Sequence, residues 1–169
     1  MSKFLLSLVG LVLLSLTTWA YIQDKKHTDK AVAGGSANHV LVTPDAITWG
    51  PPPPALPAGA EIAVLQGDPT KAGVPFSMRA KFPDGYTVAP HWHPTDENVL
   101  VLQGNLMVGV GEKVDQTAAR EMATGSYALM PKGMRHFAAA KGETIIQIYG
   151  IGPFEINYVN SADDPRNKK

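Results

Sequence analysis

The chain has 169 residues, 44% of them apolar and 18% charged, enough for one domain with a real core and too apolar for a disordered chain. Fifteen basic residues balance fifteen acidic ones, so no long-range attraction draws the chain to nucleic acid or anionic lipid. Cysteine is absent, which excludes disulfides, thiolate ligands and a catalytic thiol, while 16 glycines and 14 prolines favour many turns and short strands over long helices.

Residues 1–20 carry Lys3 ahead of an apolar run, then Thr18-Trp19-Ala20, which puts small residues where a signal peptidase inspects the chain. This predicts a signal peptide cleaved after Ala20 and export to the periplasm or beyond. The competing reading is an uncleaved anchor facing outward. Residues 4–22 are just long enough to span a bilayer, although Lys25 and Lys26 outnumber Lys3 on the unfavourable side. Residues 21–60 follow as a tether and a proline-rich arm. Residues 23–38 are polar around Ala33-Gly34-Gly35-Ser36, and His27 within them reads as solvent-exposed. Residues 39–43 are strand-like, and His39 has no partner in sequence that makes it a ligand. Residues 51–54 are all proline and hold an extended geometry. They read as an arm packed over the following domain in preference to a docking motif for a recognition module.

Strands are expected next. Residues 61–66 are β-leaning. Residues 76–82 alternate, with Phe76, Met78, Ala80 and Phe82 on one face and Ser77, Arg79 and Lys81 on the other, the pattern of a half-buried strand. After a turn at Pro83-Asp84-Gly85, residues 86–93 form another. Positions i and i+2 of a strand share a face, so His91 and His93 project together and Trp92 faces away. Two imidazoles so placed can both reach one ion at about 2.1 Å. Pro94-Thr95-Asp96 bends the chain, with Asp96 assigned to the turn. Glu97 opens the strand 97–103 and returns its carboxylate to the same spot. Gly104-Asn105 predicts a hairpin turn, with residues 106–110 pairing back. Residues 117–122 are compatible with a short helix. Residues 126–130 form a strand, Pro131-Lys132-Gly133 a tight turn and residues 135–140 the next strand, on which His136 completes the ligand set. A turn at Gly142 precedes the last strands, 144–149 and 154–159. Residues 161–169 form a polar tail.

These residues resemble the cupin superfamily. Its first motif is Gly, five residues, His-x-His, three or four residues, Glu, six residues, Gly; Gly85, His91, His93, Glu97 and Gly104 meet every term. Its second is Gly, five residues, Pro-x-Gly, two residues, His, three residues, Asn; Gly125, Pro131, Gly133 and His136 meet it, and Ala140 stands where Asn is expected. The resemblance covers residues 61–160. It implies an all-β fold, the cupin-type double-stranded β-helix or jelly-roll barrel, here preceded by an N-terminal extended arm, with a metal in the barrel mouth and a homodimer as the usual assembly.

His91, His93, Glu97 and His136 make a three-nitrogen, one-oxygen set for a divalent transition metal. Such a set closes a tetrahedral site, as structural zinc prefers, or fills four corners of an octahedron and leaves two open. The resemblance implies the second, which admits Mn, Fe, Ni or Co with Zn as a competitor. Two open positions accept a bidentate oxygen substrate, or substrate plus dioxygen. The leading expectation is a metal-dependent oxidoreductase of dioxygenase or oxidase type acting on a small oxygenated molecule, with isomerase or decarboxylase chemistry compatible with the same site. The alternative is a non-catalytic extracytoplasmic module or sensor that binds a metal or a small molecule. The chamber lining separates them: an enzyme should carry polar side chains beside the metal in addition to its ligands, whereas a narrow, wholly apolar lining favours the module. Arg79, Gln147 and Tyr149 are the candidates for such helpers.

Overall fold

The computed structural model describes residues 39–168; the signal or anchor reading, the residue 21–38 tether and His27 lie outside the described residues. Among the described residues eight strands follow one another: β1 (Glu61–Gln66), β2 (Pro75–Phe82), β3 (Thr87–Trp92), β4 (Glu97–Val110), β5 (Arg120–Ala123), β6 (Tyr127–Met130), β7 (His136–Ile151) and β8 (Asn157–Tyr158). All pairings are antiparallel. The spine is β4 against β7, in register from Asn98↔Tyr149 to Val110↔His136. β2 and β6 flank one half of this spine, and β3 and β5 flank the other. The single sheet thereby folds into two facing layers around a core that includes Phe76, Met78, Val99, Leu106, Ile146 and Ile148. This is the expected jelly-roll architecture.

The layers are made differently from the expectation in one respect. Residues 97–110 and 136–151 are each one long strand, where the sequence predicts two hairpins. Gly104 and Gly142 do not reverse the chain. They sit in bulges where the register shifts between Val101 and Asn105 on β4. A bulge bends a strand and raises its twist, so each long strand passes from one layer into the other. Gly104 adopts φ +75°, and a Cβ there would stand 2.3 Å from the Glu143 carbonyl oxygen, so glycine alone fits. Thr144, fully buried, donates its hydroxyl to the Asn105 carbonyl at 2.9 Å and ties the two bends together.

Three local expectations change as well. Residues 39–43 form no strand and lead into a 3-10 turn at Pro44–Ala46. The short helix across residues 117–122 is absent. Asp115 instead accepts the amides of Thr117 and Ala118, and the chain then pairs as β5 along Asn105–Val108. The last strand is only Asn157–Tyr158, because residues 152–156 loop over the barrel mouth.

The proline-rich segment lies against the barrel. Gly50 bridges Ile62, the Tyr86 hydroxyl donates to the Pro57 carbonyl at 2.6 Å, and the Tyr158 hydroxyl donates to the Ala55 carbonyl at 2.8 Å. Lys81 sits 4.9 Å from the centre of the Trp49 ring and pairs with Glu61 at 2.7 Å.

Candidate metal centre

His91 lies near the end of β3 and His136 opens β7, and the two are register partners in adjacent strands. His93 follows β3 by one residue. Glu97 opens β4 in the opposite layer. The set therefore exists only when the layers face each other. All four side chains are buried, between 2% and 6% exposed. One nitrogen from each of His91, His93 and His136 lies within 4.8 Å of the others. The Glu97 Oε2 atom is 3.3 Å from His93 Nε2 and 3.2 Å from His136 Nε2.

Backbone carbonyls decide how the rings point. His91 Nδ1 is 2.8 Å from the Ala89 carbonyl, His93 Nδ1 is 2.7 Å from that of Glu155, and His136 Nδ1 is 3.1 Å from that of Met134. A carbonyl only accepts, so each Nδ1 carries a hydrogen and donates it. In the neutral ring Nε2 then presents a lone pair, which is the form that ligates a metal. Burial, followed by the nearby His136 and His93 rings, pushes His91 down to about 3, so it is neutral at neutral pH. Burial pushes the Glu97 carboxyl up, and the facing His136 and His93 rings hold it below the usual carboxylate range only when positive charge stands at their Nε2 atoms, which is the place a cation takes. His93 Nε2 has no hydrogen-bond partner although it is buried. An orphaned acceptor next to a carboxylate is costly unless positive charge lies between them. One divalent cation answers every one of these contacts, and the residues present fit such an ion.

The chamber behind the cluster has a volume of about 60 Å³. Besides His91, His93, Glu97 and His136, every residue lining it is apolar, with Val88, Val99, Leu106, Val108 and Ile148 among them. The proposed helpers are elsewhere. Arg79 donates to Gln147 at 3.3 Å and Gln147 donates to Ser77 at 2.9 Å, all on the outer face of the sheet, because their neighbours Met78, Ala80, Ile146 and Ile148 take the inner face. Tyr149 is also outward and exposed. Asp96 accepts the Lys132 amide at 2.8 Å, which places it in the turn as expected, and Trp92 does not line the chamber. His39 is exposed.

Sequence reasoning did not find Leu56 and Phe154, which close the chamber. The Phe154 ring stacks on His93 at 4.4 Å and 16°. Nothing in the spacing of residues 152–156 announces this; the loop is placed by the Glu155 carbonyl that orients His93.

Comparison with known proteins agrees with this fold. The ChrR cupin-like domain family matches residues 37–155. A germin-like protein 5-1 from Oryza sativa subsp. japonica is 34% identical over 87 residues, which is 51% of this chain and 38% of the relative, so the match spans well under half of that protein. Among solved structures, the polyketide cyclase RemF from Streptomyces resistomycificus aligns with a TM-score of 0.61 at 16% identity, covering 76% of this chain and 91% of that one. An acetylacetone dioxygenase from Acinetobacter johnsonii aligns with a TM-score of 0.59 at 16% identity, covering 78% and 83%. At such identities these structures speak for the fold. The family match covers most of the chain, and the chain belongs to the ChrR cupin-like domain family of the cupin superfamily.

Proposed function

We propose that this protein is a metal-dependent oxidoreductase of dioxygenase or oxidase type, in which His91, His93, Glu97 and His136 hold one divalent transition metal and the substrate is a small, largely apolar molecule bearing oxygen. The observation that carries the metal assignment is the clustering of one nitrogen from each of His91, His93 and His136 within 4.8 Å of the others, with the Glu97 carboxylate 3.3 and 3.2 Å from two of these rings and a carbonyl locking each ring from behind. When bound, Mn, Fe, Co, Ni or Zn would supply Lewis acidity, and Mn or Fe redox chemistry as well.

The chain's own contribution follows from the lining. The carbonyls of Ala89, Glu155 and Met134 hold the rings in one orientation. The apolar walls exclude water and favour a substrate whose only polar atoms are those that meet the cluster. Among the chamber-lining residues, no acid or base exists outside the four. Isomerisation needs a side chain that carries a proton between two substrate atoms, and none is left to do so. Oxidation is therefore favoured over isomerase chemistry. The names of two fold relatives, a polyketide cyclase and an acetylacetone dioxygenase, are in keeping with small oxygenated carbon compounds.

The second reading is a protein that binds the metal or a small molecule without turnover. By the lining criterion this reading is the favoured one, because the chamber is small, about 60 Å³, and carries no polar lining outside the cluster; the oxidoreductase reading requires that the open metal positions and dioxygen supply the polarity the walls lack. The experiment that decides is oxygen uptake by protein loaded separately with each metal, offered β-diketones, flavonols, thiols and dicarboxylates. The oxidoreductase reading expects uptake with Fe or Mn on a compact apolar substrate, lost in His136→Ala. Stoichiometric metal binding with no uptake on any compound leaves the binding reading. Failure to bind any metal overturns the proposal at its base.

A further inference from the structure

A second, larger cavity adjoins the chamber. It lies between the proline-rich arm and the barrel mouth and has a volume of about 510 Å³. Its lining includes Pro51, Pro53, Val64, Thr70, Asn157 and Arg166. Leu56, Ile62, Met78, Phe154 and Ile156 line this cavity and the inner chamber alike. These five side chains are therefore the partition between the two.

The partition is braced from both sides. Leu56 stands between the carbonyls of Ala55 and Pro57, which accept from Tyr158 at 2.8 Å and Tyr86 at 2.6 Å. The Leu56 amide itself donates to the Pro53 carbonyl at 2.9 Å. Its side chain is held as a plug by backbone anchors that do not depend on what the side chain is. Phe154 is the opposite wall. Its ring lies on His93, the Glu155 carbonyl next to it accepts from His93, and Arg166 donates to the Ile156 carbonyl at 3.1 Å. Whatever displaces Phe154 must disturb a ring of the cluster.

We propose that the arm–barrel cavity receives the apolar body of the ligand, and that Leu56 and Phe154 determine which molecules pass through to the histidine cluster. The ligand class is a small molecule with an apolar body and an oxygen-bearing end, such as a β-diketone. The inner chamber alone, at about 60 Å³, is too small for anything beyond a few atoms, whereas the outer cavity falls within the range of small-molecule sites. Its wall is apolar where it meets the partition, and its polar residues, Thr70, Glu155, Asn157 and Arg166, belong to the outer cavity alone. This deepens the reading above and rests on it only for the ligand's destination.

The test uses the full chain with methyl-labelled side chains, metal-free and cobalt-loaded, titrated with acetylacetone and with the bulkier benzoylacetone. In metal-free wild type, benzoylacetone should shift the methyls of Val64 and Ala55, which line the outer cavity alone, and leave those of Val99, Leu106 and Val108 unmoved. Leu56→Ala should let it reach the inner set, with affinity higher by roughly tenfold, the scale set by a few methyl groups in an apolar pocket. Leu56→Trp should block both compounds from the inner set and leave metal affinity unchanged. Phe154→Leu, which keeps the wall apolar, should admit benzoylacetone and also change the cobalt absorption through His93. The inference is overturned if the inner methyls respond alike in wild type, Leu56→Ala and Leu56→Trp, or if the outer methyls never respond. A protein that fails to take up cobalt yet shows the partition-dependent methyl shifts loses the metal reading and keeps this one.

Discussion

His91 and His136 face each other as register partners across β3 and β7, with ring centroids 4.3 Å apart and planes tilted by 56°. Their spacing is set by the backbone ladder, so it survives changes elsewhere in the cluster. Glu97 arrives from the other layer and depends on the fold closing. Loss of a group that only orients a ligand costs roughly 10–100-fold in metal affinity. Loss of a ligand itself should exceed that. His136→Ala is expected to weaken binding by more than about 100-fold, and His91→Ala similarly. Competition against a chromophoric chelator reads the affinity, and circular dichroism shows that the barrel persists. Unchanged affinity in both variants would remove these residues from the site.

Gly104 and Gly85 share φ +75° and differ in what surrounds them. A Cβ at Gly104 meets the Glu143 carbonyl oxygen at 2.3 Å, whereas at Gly85 nothing lies within 4 Å. Left-handed backbone costs a non-glycine residue roughly 1–2 kcal/mol. Gly85→Ala should lose about that much. Gly104→Ala should lose more, because backbone must also move where β4 and β7 bend. Paired denaturant melts measure the difference, and equal losses would show that the bend does not require the close approach.

The comparison of these glycines shows what was legible in the chain. Side-chain alternation places β2 almost to the residue, because it has a buried face and a more exposed one, while β1 is legible from its β-leaning composition and the turn residues after it. Both glycine pauses in the long strands, at Gly104 and Gly142, looked like hairpin turns. A bulge and a turn use the same left-handed glycine, and only the pairing of β4 with β7 along their whole length tells them apart. His91, His93, Glu97 and His136 could be picked out because their spacing is local within two segments, and period-two geometry brings neighbours to one face. The partition could not be read. Leu56 and Phe154 are ordinary apolar residues whose position is fixed by two tyrosine hydroxyls and a histidine ring far away in sequence, bonded to carbonyls beside them. Arg79, Gln147 and Tyr149 do not reach the cluster, for the simple reason that strand alternation sends them outward.

The arm should loosen in alkali. Burial, followed by the charge of Asp164, pushes the Tyr158 hydroxyl up to about 12, and burial raises Tyr86 as well. An unfolded tyrosine ionises near 10. Between those values the unfolded chain has lost the proton that the folded protein still holds. The stabilisation is therefore complete below about pH 10 and is lost as pH rises toward 12. Tyr158→Phe should remove that part of the alkaline slope, at a cost of about 0.5–1.5 kcal/mol at neutral pH for the missing hydrogen bond to Ala55. Urea melts across the alkaline range, read with tyrosinate absorbance, test it. An identical alkaline slope in the variant would show that the hydroxyl does not hold the arm.

Glu97→Gln should reverse its effect on stability with metal. In the metal-free protein the carboxylate faces two ring nitrogens whose hydrogens are committed elsewhere, and His93 Nε2 is unpartnered. A glutamine amide at the same place offers two hydrogens to His93 and His136 and removes a buried charge. Metal-free Glu97→Gln should melt at or above the wild type. With metal in excess the order should invert, because a ligand at 100 times its dissociation constant stabilises the folded state by about 2.7 kcal/mol, and the amide binds the ion far more weakly. Thermal melts with and without chelator, run on both proteins, give the crossing directly. If Glu97→Gln is less stable in both conditions by the same amount, Glu97 is a structural carboxylate and the cation is not what the cluster is built to hold.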